Sequence, residues 1–249
     1  MPRCRVVLSL IAVLMLSILG LSLLPAAHAQ EATPAFDPSS LSPVVTNPLF
    51  PLASLRSTVL EGKEEDSETG ETIETRVELT VLPETTAVAG VEVTVTEVKE
   101  YEDSELVEAT LDYYAQDANG TVYYLGERVD MYEEGSVIGH SGTWLAGERA
   151  NQPGVYMPAH PEVGQVFEQE RAPGVAEDQS TVLAVDQSIV TEAGEFSGCL
   201  HVEDFAPVEG GADEKYYCPG VGIAREVFEG GSLDLVAFES AAPSTPAAG

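Results

Sequence analysis

The sequence predicts an all-β protein, an antiparallel meander of about ten to twelve strands that forms a barrel, a half-barrel or a sandwich. Three observations predict this class. Apolar residues recur with a period of two, turn-forming residues separate the apolar runs, and no capped amphipathic helix pattern is present. No repeat of fixed period occurs either, which disfavours a propeller or a solenoid.

The first segment has the layout of a secretory signal peptide. Basic Arg3 and Arg5 precede an apolar run over 6–24, and a small-residue pattern ends at Ala29. We expect cleavage after Ala29, which makes 1–29 a signal peptide and the protein secreted, periplasmic or otherwise extracytoplasmic. A retained transmembrane helix is the alternative, since the apolar run is long enough to span a bilayer. Pro25 favours cleavage, which leaves no stable membrane span in the mature chain.

The chain is strongly acidic, with 42 Asp and Glu against 11 Lys and Arg and a formal net charge of −31. This excess repels nucleic acid and favours cations as partners, and it keeps a protein soluble and monomeric. We therefore expect a monomer that does not bind nucleic acid. The hydrophobic content of 44% is sufficient for a single core.

One β domain is predicted over 47–239, between a flexible segment over 30–46 and a flexible tail over 240–249. Both end segments are rich in Pro, Ser, Ala and Thr and have no apolar period. Within the domain, for example, apolar Val91, Val93 and Val95 alternate with polar residues, as strands with one buried face do.

Two cysteines remain after the signal segment, Cys199 and Cys218, and we expect them to form a disulfide in an oxidising compartment. The midpoint between them falls in the turn-like run over 207–213. In a hairpin that is symmetric about this run, the two cysteines face each other at a distance that a disulfide can span.

A second hairpin is predicted over 112–127, "DYYAQDANGTVYYLGE", because Asn119 and Gly120 both tolerate the positive φ angles of a type I′ turn. Folding about these two residues pairs Asp112 with Glu127. The same face carries three further site candidates: Tyr114, Gln116 and Tyr123. This mixture of aromatic and polar groups suits either a ligand cavity or a packed, half-buried surface.

Three carboxylates of the hairpin are candidate calcium ligands, because calcium prefers six to eight oxygen atoms: Asp112, Asp117 and Glu127. The loop is not an EF-hand, since Val122 and Arg128 occupy the positions that require Gly and Glu. Chance clustering of acidic residues is the alternative. No cofactor is required by the sequence, and calcium is the one that this composition would suit.

Signals for catalysis are weak, and no catalytic residue is assigned. The run Gly139-His140-Ser141-Gly142 lacks the G-x-S-x-G pattern, and neither a zinc histidine pair nor a P-loop is present. A glycosidase-like pair of carboxylates, such as Asp112 and Glu170, is the remaining catalytic alternative.

Five motifs occur in a characteristic order: "LDYYAQDANGTVYYLGE", "SGTWLAG", "QPGVYMPAHPEVG", "FEQERAPGVAED" and "KYYCPGVGIARE". Together they resemble a set of secreted bacterial all-β proteins of unassigned function, over about 47–238. The resemblance implies no activity, and it points to the following residues: Asp112, Tyr114, Gln116, Asp117, Tyr124, Glu127, Trp144, Gln169, Glu170, Glu177, Asp178 and Tyr217. The last motif is also similar, more weakly, to periplasmic half-barrel proteins that bind lipids or lipoproteins.

We therefore expect a secreted, acidic, non-enzymatic β-protein that binds a ligand, a cation or a small or apolar molecule, in a groove or barrel mouth. The predicted ligand-binding residues are Asp112, Tyr114, Gln116, Tyr123, Glu127, Trp144 and Glu170. The alternatives are a secreted hydrolase that uses paired carboxylates and a structural, envelope-associated domain whose interior is filled by side chains.

Overall fold

The computed structural model describes residues 38–65, 69–208 and 210–241. All of these residues belong to one compact unit of the chain. The predicted signal peptide lies outside the described residues. Within the described residues, no helix has the length and apolar character needed to cross a membrane.

Fourteen strands and one short 3₁₀ helix, Pro38–Ser40, make up the regular structure of the described residues. The strands are β1 (Leu55–Glu65), β2 (Thr72–Val88), β3 (Val91–Glu102), β4 (Glu105–Gln116), β5 (Val122–Glu133), β6 (Ser136–Gly139), β7 (Trp144–Leu145), β8 (Gly154–Met157), β9 (Val166–Glu168), β10 (Gln179–Thr191), β11 (Gly194–Phe205), β12 (Ala212–Cys218), β13 (Gly222–Phe228) and β14 (Gly231–Ser240).

The strands form one antiparallel sheet in the order β6-β5-β4-β3-β2-β1-β14-β13-β12-β11-β10-β9, and β7 and β8 also pair with β5. Neighbours along the chain are neighbours in most of the sheet, so the predicted all-β antiparallel meander is confirmed. The predicted alternation is confirmed as well, since Val91, Val93 and Val95 are buried on one face of β3. The sheet is not closed, which excludes the barrel and leaves the half-barrel or sandwich.

The two ends of the sheet approach each other at one place. Gln152 forms an isolated antiparallel bridge with Arg171, and the backbone of Gly154 packs directly on the Gln169 carbonyl. A Cβ atom at position 154 would lie 1.9 Å from the Gln169 oxygen, so only glycine fits there. This contact holds the segment that follows β9 beside β8.

Residues 38–54 pack against the domain, although the sequence predicted flexibility over 30–46. Val45 is fully buried, and Ser42 forms a bridge with Gln116 at the end of β4. The apolar side chains of this proline-rich segment lack a period but still bury surface, which the composition did not reveal. At the other end, Ser240 belongs to β14 rather than to the predicted tail, and 242–249 lie outside the described residues.

The predicted disulfide is present in the structure between Cys199, midway along β11, and Cys218, the last residue of β12. The pair Leu200 and Tyr217 is in direct register beside it, as the symmetric hairpin requires. Both cysteines are fully buried in a small apolar cluster together with Leu60.

Candidate functional site

The turn of the β4–β5 hairpin differs from the prediction. Only Gly120 of the turn has a positive φ, 102°, so Asn119 is not left-handed and the type I′ turn is wrong. The strands pair Gln116 with Val122, and the amide of Asp117 donates to the carbonyl of Thr121 at 3.0 Å. Residues 118–120 therefore form a three-residue loop that ends in a left-handed glycine.

A bulge in β5 then shifts the register by one residue. Asp112 pairs with Glu127 as predicted, but Tyr114 pairs with Tyr124, so Leu125 and Gly126 together stand opposite Tyr113. Gly126 has a φ of 124°, and a Cβ atom there would lie 2.3 Å from the carbonyl oxygen of Trp144. The bulge puts Tyr124, rather than Tyr123, on the same face as the two carboxylates.

Two buried side chains, Asp112 and Tyr124, and the half-buried Glu127 form a hydrogen-bonded group, which we call the carboxylate pair with its bridging tyrosine. The Tyr124 hydroxyl lies 2.7 Å from Asp112 Oδ1 and 3.1 Å from Glu127 Oε2. A phenol has one proton, so both contacts are hydrogen bonds only when one carboxyl group is protonated and donates in return. The Thr96 hydroxyl also donates to Asp112, at 3.1 Å.

The pKa values of the pair differ, and Glu127 is the protonated partner near neutral pH. Burial, followed by the charges of Glu170 and Asp112, raises the pKa of Glu127 to about 9. Burial raises the pKa of Asp112 to about 6, against the opposing hydrogen bonds from Tyr124 and Thr96. The field that acts on Glu127 is thus strongly negative.

The carboxylate pair lines a cavity of about 280 Å³, which we call the main cavity. Its wall is built by β1 to β5 on one side and by β8, β12, β13 and the segment after β9 on the other. The polar lining residues are Thr58, Glu108, Thr110, Asp112, Tyr114, Tyr124, Glu127, Tyr156, Gln169, Glu170, Asp178, Lys215 and Glu226. Aliphatic side chains, including Leu60, Leu79 and Val98, complete the wall.

A smaller cavity of about 230 Å³ adjoins the main cavity, and we call it the acidic cavity. The two share four carboxyl-bearing residues: Glu108, Glu127, Glu170 and Asp178. None of the described residues that line the acidic cavity is basic.

Two polar side chains of the main cavity are buried without a protein partner. Tyr114 is 4% exposed and Gln169 is 6% exposed, and both line the cavity. Within the described part of the chain, no side-chain hydrogen bond involves the Tyr114 hydroxyl or the Gln169 side-chain amide, and neither group is among the fully enclosed atoms that lack a partner, so both are open to the cavity. Buried polar groups are almost always hydrogen-bonded, so these two are available to a bound molecule or to water.

Lys215 is the only basic residue among the described residues that line the main cavity. Its ammonium nitrogen lies 3.2 Å from Asp204 Oδ2 and 3.5 Å from Glu226 Oε1. Burial lowers the pKa of Lys215. The charges of Glu226 and Asp204 raise this pKa by more than burial lowers it, so it lies well above the ordinary value. Lys215 is therefore a charged group that already has two carboxylate partners.

Four of the seven predicted ligand-binding residues lie together in this lining: Asp112, Tyr114, Glu127 and Glu170. Gln116 does not line the cavity. Its Oε1 accepts hydrogen bonds from the amides of Thr46 and Asn47, both at 2.8 Å, so its side chain fixes the N-terminal segment to β4.

Tyr123 and Trp144 also lie outside the cavity lining. Tyr123 is on the opposite face of β5 because of the changed turn and register. Trp144 is buried and packs edge-on against Tyr124, with ring centroids 5.5 Å apart, so it supports the bridging tyrosine from behind. Its indole nitrogen has no hydrogen-bond partner, for which the structure offers no explanation.

The structure does not bring together the three predicted calcium ligands. Asp117 lies at the tip of the hairpin, where its Oδ1 accepts from the amides of Asn119, Gly120 and Thr121 at 2.9 to 3.0 Å. Asp112 and Glu127 lie further down the strands, in the cavity. Across the described residues, no group of three or more His, Cys, Asp or Glu side chains is arranged to hold a metal ion.

The pairing of the predicted hairpin does not identify several residues of the cavity lining. Tyr124, Gln169 and Asp178 were implied only by the resemblance to secreted proteins. Glu108 follows from period two, since it lies two residues before Thr110 and four before Asp112 on the same strand face. Tyr156 and Lys215 come from distant strands, and no local pattern connects them with the hairpin.

No family model, curated protein or solved structure matches this chain. The resemblance to secreted bacterial proteins therefore stays a prediction from the motifs.

Proposed function

We propose that this protein is a secreted, non-enzymatic binding protein that holds a small polar molecule in the main cavity. The observation that carries the proposal is a pair of polar groups that face the cavity without a protein partner, the Tyr114 hydroxyl and the Gln169 amide. Both groups face the cavity, where a ligand that hydrogen-bonds to both can take the place of water. The cavity volume of about 280 Å³ suits a small molecule rather than a large one.

An extracytoplasmic location is part of the proposal. The layout of 1–29 predicts export, and the disulfide between Cys199 and Cys218 is compatible with an oxidising compartment. The ligand would then come from outside the cytoplasm.

The test is a thermal-shift screen of small sugars, alcohols, amines and carboxylic acids. A ligand present at 100 times its Kd stabilises the folded state by about 2.7 kcal/mol, so a hit is readily detected. We expect Gln169→Leu to weaken binding of the hit at least tenfold, because the amide contacts are lost, and Tyr114→Phe to weaken it as well.

Matched control variants are Gln179→Leu, on the exposed start of β10, and Tyr132→Phe, a tyrosine of β5 outside the cavity lining. They should bind like the wild type. A screen without any hit, or a hit that binds Gln169→Leu and Tyr114→Phe as well as it binds the wild type, would overturn the proposal.

A hydrolase is the second candidate, favoured by one observation. Glu127 and Asp112 have separated pKa values of about 9 and about 6, as a general acid and a carboxylate base or nucleophile do. The bridging hydroxyl of Tyr124, however, occupies the space between them, where the reacting atom of a substrate would have to lie. Activity on chromogenic glycosides or esters that is lost in Asp112→Asn would support this candidate over binding alone.

A further inference from the structure

The acidic cavity and the neighbouring part of the main cavity have a large excess of negative charge. Six of the described residues that line the main cavity carry carboxyl groups, and Lys215 alone carries an amine. That amine lies beside Asp204 and Glu226, on β11 and β13. Around Glu127 and Glu170 the described lining is therefore acidic, and the charge of Glu170 acts on Glu127, so this part of the cavity favours a positively charged group of a ligand.

An aromatic wall adjoins these carboxylates. Tyr114 stacks on Tyr124 with ring centroids 4.9 Å apart, and Tyr156 packs against Tyr114 at 4.9 Å and against Tyr124 at 5.8 Å. Phe50 closes the group at 4.5 Å from Tyr156. Aromatic rings beside carboxylates attract organic ammonium ions through cation–π interaction, while aliphatic walls accept an apolar body.

We propose that the ligand is a small organic amine, whose ammonium group lies between Glu127 and Glu170 and whose apolar part extends along the aromatic wall. This inference rests on the proposed binding function and names the class of ligand. The two unpartnered groups fit the same molecule, since the oxygen atoms of Tyr114 and Gln169 can accept hydrogen bonds from an ammonium group.

A bare metal ion fits the site less well than an organic cation. Calcium is coordinated by six to eight oxygen atoms, and across the described residues no carboxylate cluster has that arrangement. The main cavity is also lined by aliphatic side chains such as Leu60, Leu79 and Val98, which contribute nothing to a metal ion but pack against a hydrocarbon.

Amine binding should release a proton. Glu127 is protonated in the free protein near neutral pH, because burial and the charges of Glu170 and Asp112 disfavour its charged form. An ammonium ion beside Glu127 favours its charged carboxylate form, so a fraction of the protein molecules lose the Glu127 proton when the amine binds. Calorimetry in two buffers with different ionisation enthalpies measures this release directly.

The experiment compares n-pentylamine with 1-pentanol, which has nearly the same shape and no charge, by calorimetry at pH 8. We expect the amine to bind at least tenfold more tightly than the alcohol and to release protons. Glu170→Gln should weaken amine binding at least tenfold while alcohol binding changes little. Glu133→Gln, an exposed glutamate at the end of β5, is the matched control and should behave like the wild type.

The outcomes separate this inference from the proposed function. Equal or tighter binding of 1-pentanol would overturn the amine inference and leave binding in the cavity supported. Amine binding that Glu170→Gln does not weaken would also overturn it, since the charge would then act elsewhere. If neither compound binds and the wider screen gives no hit, the proposed function itself is overturned.

Discussion

At the scale of single residues, Glu127 makes a pH-dependent contribution to stability. Its pKa is raised from the ordinary value of 4.5 to about 9, so the folded state holds a proton that the unfolded chain releases. The contribution of Glu127 to stability is therefore fully present at low pH and is lost as the pH rises from about 5 through about 9. Glu170 and Asp112, which face Glu127, also raise its pKa because their charges repel that of the Glu127 carboxylate.

We expect Glu127→Gln to stabilise the protein increasingly with pH. Glutamine keeps the shape of a protonated glutamate and cannot ionise, so the variant avoids the cost of burying the charge. The increase in the free energy of unfolding should be small at pH 5. At pH 9 it should exceed about 1 kcal/mol, which corresponds to a shift of about one pKa unit. Urea unfolding at the two pH values measures it, with Glu133→Gln as the exposed control. An equal effect of Glu127→Gln at both pH values would contradict the assigned protonation.

At the scale of elements, the β4–β5 hairpin positions the site through its bulge. Gly126 has a φ of 124° and lies against the carbonyl of Trp144, so any side chain there meets both strain and a backbone clash. We expect Gly126→Ala to lower the free energy of unfolding by more than the 1–3 kcal/mol or so of backbone strain alone. It should also weaken ligand binding, because Tyr124 leaves the cavity face if the register shifts.

The control for the bulge is Gly135→Ala. Gly135 has a similar left-handed φ of 73° but has no atom within 4 Å of the added Cβ, so this variant measures strain without the clash. Chemical denaturation should show a clearly larger loss for Gly126→Ala. Equal losses would mean that the close approach to Trp144 does not constrain the hairpin.

The sequence predicts the β4–β5 hairpin and the positions of Asp112, Tyr114 and Glu127 on one face, but it does not predict the position of Tyr124. The alternation of Asp112 and Tyr114 fixes the face of β4, and the pair with Glu127 follows from the turn region. A bulge of one residue, however, reverses which of Tyr123 and Tyr124 faces the carboxylates, and the turn dipeptide does not encode it. An isolated glycine within a strand, Gly126, was the available signal, since such glycines often mark bulges.

At the scale of the whole domain, period-two alternation and turns are sufficient to predict an antiparallel meander, because neighbouring strands pair with each other. How the two ends of this open sheet approach each other depends on the contact of Gly154 with the Gln169 carbonyl and on the bridge between Gln152 and Arg171. Such contacts join distant parts of the chain and leave no local pattern. The cavity is not predicted from the sequence for the same reason, since Tyr156 of β8 and Lys215 of β12 reach it from separate parts of the sheet.

The disulfide should contribute to the stability of the domain without affecting the carboxylates and the aromatic wall of the site, although its apolar cluster borders the main cavity at Leu60. Cys199 and Cys218 are buried in an apolar cluster separate from the aromatic wall, and they close a loop with a sequence separation of 19. Loss of such a crosslink costs about 3 kcal/mol, chiefly because the unfolded chain gains freedom. Urea unfolding of the oxidised protein against the Cys199→Ala, Cys218→Ala double variant should show this loss. Ligand affinity, measured where both proteins are folded, should remain unchanged; a weaker affinity would mean that the crosslink also positions the cavity wall of β12.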